Sequence, residues 1–127
     1  MFKLIKIENG RMNVPEPEYF VANAVLTAGQ AVALSDGELV SNTTKPTHIT
    51  LGPAKEAGAK VPCIRIDSSQ VYEVAITAAP TSLNVGDKVT IDDTSAASVT
   101  ATKDGGVVTI VSLNDATAAG EKILVRF

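Results

Sequence analysis

Few residues in the chain could do chemistry. The one histidine, His48, lies in Pro46-Thr47-His48-Ile49-Thr50-Leu51, and the one cysteine, Cys63, lies in Lys60-Val61-Pro62-Cys63-Ile64-Arg65-Ile66. Hydrolysis or group transfer needs a nucleophile, a base and a group that orients them. On an alternating strand His48 shares a face with Thr50, opposite Ile49 and Leu51, which reads as a solvent-facing or rim position. Cys63 reads as a small core hydrophobe, and a single thiol makes no intrachain disulfide. Zinc spacings need three or four clustered ligands, which one histidine and one cysteine cannot supply. Asp92 and Asp93 are adjacent, so a strand would point them to opposite faces, while Asp36 and Asp93 read as turn residues bonding nearby backbone N–H groups. The glycine spacings fit neither G-x-x-x-x-G-K-[ST] nor G-x-G-x-x-G, and G-x-S-x-G is absent. The expectation is a protein that is not an enzyme, with no catalytic residue, no metal and no cofactor.

Charge and composition narrow the partners. There are 11 Lys+Arg against 14 Asp+Glu, a formal net charge of -3, with both signs spread along the chain. A nucleic-acid grip needs a basic excess or stripe to displace counterions from phosphates, and a membrane-surface helix needs a basic face; neither is present. Aromatic residues are 4% with no Trp, which argues against stacking platforms for single strands or sugars. The apolar part of Met1-Phe2-Lys3-Leu4-Ile5-Lys6-Ile7 is too short for a signal peptide, and no 18-residue apolar segment occurs. A soluble product made in the cytoplasm is expected.

The elements that must position these residues read as strands. Val, Ile and Thr make up 37 of 127 residues, and such side chains suit a pleated, half-buried surface. Apolar periodicity near two, cut by Gly, Pro, Asn or Asp, predicts strands near 2–7, 19–25, 31–34, 38–41, 47–52, 60–66, 70–77, 87–92, 98–102, 106–112 and 121–126. Asp36-Gly37 and Asp104-Gly105 predict tight hairpins. Residues 8–18 carry Pro15 and Pro17, no usable period and few ladder donors, so they read as an extended arm or an edge. Tyr19-Phe20 beside it is either packing for the next strand or an anchor for another chain.

An internal repeat is the most informative pattern. Leu26-Thr27-Ala28-Gly29-Gln30-Ala31-Val32-Ala33-Leu34-Ser35-Asp36 aligns with Leu83-Asn84-Val85-Gly86-Asp87-Lys88-Val89-Thr90-Ile91-Asp92-Asp93 as L-x-x-G-[QD]-x-V-x-[LI]-x-D, 57 residues on. Ile49-Thr50-Leu51, Ala54, Ala57, Gly58 and Lys60-Val61 align with Val111-Ser112-Leu113, Ala116, Ala119, Gly120 and Lys122-Ile123, 62 residues on. The spacers Gly52–Gly58 and Asn114–Gly120 each predict one helical turn ending in a left-handed glycine. The fold class expected is mostly β: a compact barrel or sandwich of two related β units, with one or two short helical turns and an extended N-terminal arm. Residues 1–18 are the N-terminal strand and arm, and 19–127 the β domain, its repeats at about 26–66 and 83–127.

The order of Ala28–Val40, Leu51–Pro62, Val85–Asp92 and Ala118–Val125 resembles tailed-bacteriophage capsid decoration proteins, more narrowly the capsid-cement or head-fibre-like group. Met12-Asn13-Val14-Pro15-Glu16-Pro17-Glu18-Tyr19-Phe20 is similar to the N-terminal segment of such proteins. The resemblance covers roughly residues 11–127. It implies a largely β protein on the outside of an expanded icosahedral shell, often trimeric, that clamps neighbouring major capsid protein subunits and carries no catalytic residues. By that analogy Val14, Pro15, Glu16, Pro17, Glu18, Tyr19 and Phe20 contact the capsid or a sister copy. The expected place is the virion surface, after synthesis in the host cytoplasm. The chain has no coiled-coil or collagen-like segment for a fibre. A surface or secreted adhesion module binding carbohydrate or a host protein is the alternative, and a small enzyme built around His48 or Cys63 is a third.

Overall fold

Turn residues interrupt the alternation often enough that no strand exceeds six residues, and the chain is all-β in the computed structural model, which describes residues 1–8 and 15–127. Ten strands form among the described residues: β1 (Lys3–Ile7), β2 (Glu18–Ala22), β3 (Ala31–Ser35), β4 (Glu38–Ser41), β5 (His48–Thr50), β6 (Lys60–Arg65), β7 (Gln70–Ala75), β8 (Lys88–Val89), β9 (Val108–Ser112) and β10 (Lys122–Arg126). Among the described residues no helix is long and apolar enough to cross a membrane.

Strands β2, β4, β3, β5 and β6 close into a barrel in that order. The β3–β4 hairpin turns on Asp36 and Gly37, whose φ angles of 51° and 83° are both positive, as a two-residue primed turn requires. β2 lies antiparallel to β6 and parallel to β4, where Val21 and Ala22 meet Glu38 and Leu39. The other five strands form a sheet in the order β1-β7-β10-β9-β8. Isolated bridges from Val99 to Ile76 and to Ile91 continue its pairing past β8 and β7.

Comparable bonds from aligned glycines occur in both halves. Gly29 N–H donates to Thr50 O at 2.7 Å, and Gly86 N–H to Ile110 O at 2.9 Å. Gly58 N–H donates to Ala22 O at 2.8 Å, and Gly120 N–H to Ile76 O at 2.7 Å. The Gln30 side chain accepts from Thr27 N–H, and Asp87 from Asn84 N–H, each at 2.8 Å.

Two details differ from the sequence reading. Neither spacer is helical. Ala54 exchanges both its N–H and C=O with Leu26, at 2.9 and 3.0 Å, so the first spacer's backbone is committed to a cross-chain pair. Gly58 and Gly120 still adopt the left-handed conformation, with φ of 85° and 87°. The segment expected as a strand over 98–102 forms no continuous strand, but beside the Val99 bridges its backbone pairs with Thr90 through Thr100 N–H at 2.9 Å and Thr102 O at 3.0 Å. Nearby, the Asp92 carboxylate gathers Ser95 N–H and the Ser95 and Ser98 hydroxyls into a local turn.

The core has two parts. Ala22, Leu26, Val32, Leu39, Ala54, Val61 and Cys63 fill the barrel. The other joins Tyr72, Val74, Ile76, Val89, Ile110, Ile123 and Val125 to Ala31, Ile49 and Ile64, which belong to barrel strands, and to Phe2. Phe2 is 3% exposed, its ring centroid 5.2 Å from that of Phe127 and 6.3 Å from that of Tyr72. Glu8 pairs with Lys6 and Arg126. The first eight residues are therefore built into the body, and β2 begins at Glu18, inside the span read as an arm.

Candidate functional site

Pairing in the barrel brings together four charged or titratable side chains. His48 lies opposite Arg65 across β5–β6, and Glu18 opposite Cys63 across β2–β6. The alternation of both strands then turns Glu18, His48, Cys63 and Arg65 to the same face. Glu18 Oε2 is 2.8 Å from His48 Nε2, and Arg65 Nη2 donates to Glu18 Oε1 at 3.3 Å. A carboxylate only accepts, so Nε2 carries the proton; in the neutral ring Nδ1 then accepts from the Thr47 hydroxyl, 2.8 Å away. Phe20 packs edge-on against the imidazole at 5.6 Å.

This corrects the placement of His48 at the rim: it is 2% exposed. All three residues of β5 are buried, because His48 and Thr50 face the barrel interior while Ile49 joins the core shared with the second sheet. Hydroxyl, imidazole and carboxylate follow one another here as in a nucleophile–base–orienter relay. Both ring nitrogens are occupied by protein oxygens, however, and so buried a ring can reach a substrate only by giving one of them up. The bond from His48, and after it that from Arg65, hold the Glu18 carboxyl below the usual carboxylate range.

Cys63 is buried, as its apolar setting suggested, and burial together with the nearby Glu18 charge pushes its thiol up to about 11. A thiol so placed is a poor nucleophile. Next to it runs a second polar network. Thr50 Oγ1 donates to Thr27 O at 2.6 Å and accepts from Gln30 N–H at 2.9 Å, and Gln30 Nε2 donates to Ser41 Oγ at 3.1 Å. The buried members, Gln30 and Thr50, are both partnered, and the network ties the barrel interior to the exposed Thr27 and Ser41. Asp92 serves as a turn cap, and Asp93 accepts from the Thr43 hydroxyl at 2.5 Å. Among the described residues no group of three His, Cys, Asp or Glu side chains could hold a metal ion.

Of the residues expected to contact a partner, those within β2 divide by strand parity. Val14 lies outside the described residues. Pro15 is half-buried and, with Ile7, Arg65, Asp67 and Gln70, lines an open cleft of about 260 Å³. Glu16 and Pro17 are exposed, Glu18 and Phe20 turn toward His48, and Tyr19 stands outward at 66% exposure opposite Pro62. Sequence reasoning missed the Glu18–His48 pair because 30 residues separate its members and no local spacing announces it. No protein-family model matches the chain, and no curated protein matches it.

Proposed function

We propose that the chain is a non-enzymatic structural protein of a phage virion, which decorates and stabilises the capsid exterior by binding the major capsid protein. It acts as a homo-oligomer, a trimer being favoured by the family resemblance, and engages neither nucleic acid nor membrane. The observation that carries this reading is the division within Pro15–Phe20. The inward side chains Glu18 and Phe20 fasten the strand to the barrel, while Glu16, Pro17 and Tyr19 face solvent on a rigid base. An exposed tyrosine on a fixed strand offers large contact area at small entropic cost. The inward use of His48 and Cys63 and the full pairing of the barrel's polar groups also fit a body made for contact. Many weak identical contacts over a shell add up to strong attachment.

The test compares capsids lacking the protein with capsids to which it has been added back. Added protein is expected to co-sediment with the shells and to raise their disruption temperature. Failure to co-sediment, with an unchanged disruption temperature, overturns the reading.

A further inference from the structure

Among the described residues the barrel closes along only part of β2, and the corresponding place in the other half is filled. β2 meets β6 along Glu18–Val21, but on its other side β4 pairs only with Val21 and Ala22. Among the described residues nothing pairs with that side of Tyr19. The backbone of Tyr19 nevertheless points there. Its opposite number, Pro62, has no N–H, and the Pro62 carbonyl accepts from Leu51 N–H at 2.8 Å on the β5 side. In an antiparallel pair a residue opposite one whose polar groups face away must face away too, so Tyr19 turns its N–H and C=O outward.

On β7 the same place is occupied. Glu73 lies opposite Leu124 of β10 as Tyr19 lies opposite Pro62 of β6, and two residues beyond each, Ala75 and Val21 meet Lys122 and Lys60. Past that point Ile76 makes a parallel bridge to Val99, as Ala22 does to Leu39. Beside Glu73 runs β1, antiparallel, with Lys3 opposite Glu73 and Leu4 opposite Tyr72. The fold thus accepts an extended strand at this position in one half, and among the described residues no strand takes the equivalent position in the other.

We propose that the open edge of β2 at Tyr19 is a strand-addition site, which takes an extended, lysine- or arginine-bearing segment of a partner polypeptide antiparallel, as β7 takes β1. Charge selects the occupant. Exposed Asp36 and Glu38 stand at the β4 end of the slot and exposed Glu16 at the other, and none of the three is in an ion pair among the described residues. β1 itself has the matching character, with Lys3 and Lys6 set among Leu4, Ile5 and Ile7. Backbone bonds supply affinity in this mode, the outward Tyr19 ring gives an apolar and cation-attracting surface, and the carboxylates fix the preference for basic segments. The inference goes beyond capsid attachment and holds for any partner with such a segment.

The probe is a fluorescent peptide of the β1 region, Met-Phe-Lys-Leu-Ile-Lys-Ile-Glu, titrated into the full chain and followed by anisotropy and amide exchange. Saturable binding is expected, with slowed exchange at the Tyr19 amide. Tyr19→Pro removes the outward N–H together with the ring and is expected to weaken binding at least tenfold, Tyr19→Ala, which keeps the N–H, weakens it less, and Tyr19→Phe, which keeps both N–H and ring, binds as wild type. Glu16→Lys/Glu38→Lys, and a peptide with both lysines changed to glutamate, are each expected to lower affinity at least tenfold. Absence of saturable binding, or binding that leaves the Tyr19 amide unprotected, overturns the proposal. These readouts use no capsid, so they succeed or fail separately from capsid attachment, and the amide exchange decides even if the proline variant fails to fold.

Discussion

Glu18 shows how one carboxylate ties a strand to its barrel. It is held below the usual carboxylate range first by the His48 hydrogen bond and then by Arg65. A folded-state value below the unfolded one, which is ~4.3 for Glu, adds stability that is present above the unfolded value and is lost as pH falls through the folded one. Wild type should therefore lose more thermal stability than Glu18→Gln on going from about pH 5 to about pH 3. Melting curves at several pH values check this; equal losses in the two proteins would refute it. At this scale the sequence was partly legible. The apolar run around Cys63 announced a buried thiol, and Asp36-Gly37 announced its turn. His48 was misplaced because period-two alternation tells which residues share a face but not that both faces are covered. β5 is enclosed by the barrel interior on one side and by the second sheet's core on the other, and that sheet lies far along the chain.

The two repeat-equivalent glycines separate backbone strain from crowding at the scale of the element. Gly29 has φ of 68°, and a Cβ added there would come within 2.6 Å of Met1 Cβ and 2.9 Å of Phe2 O. Gly86 has φ of 93° with nothing within 4 Å of the added atom. Gly86→Ala is thus expected to cost about 1 kcal/mol, the strain alone. Gly29→Ala should cost about 2 kcal/mol more, because the N-terminal segment must move. Chemical denaturation of the two variants measures the difference, and equal losses would mean that Met1 and Phe2 yield freely. The strand pattern itself was readable, since alternation and turn chemistry are local. The partner of β1 was not, because Lys3 meets Glu73 only through tertiary pairing. The helical turn in the first spacer failed for a like reason: proline and glycine allowed a turn, but Leu26 claimed Ala54.

Over the whole molecule the barrel and the second sheet share a core, with Ala31, Ile49 and Ile64 of the barrel packed among residues of β7, β9 and β10. The Ala31 N–H also donates across to Ala96 O at 2.7 Å. The halves should accordingly unfold together, giving equal calorimetric and van't Hoff enthalpies. Phe2→Ala, which empties a site between Tyr72 and Phe127, should lower the stability of the entire chain by about 3 kcal/mol. Two resolved transitions would show that the halves are independent. The architecture also sets an order of events during translation. Strands β2 to β6 are contiguous in sequence, so the closed ring can form as soon as Arg65 has left the ribosome. β1 is made before the barrel strands, yet its partner among the described residues is β7, some 65 residues later, and its Leu and Ile side chains stay uncovered until that partner emerges. A strand made ahead of the barrel is thus seated only after the barrel can close, and lysines on such an exposed strand oppose association with neighbouring nascent chains in the meantime.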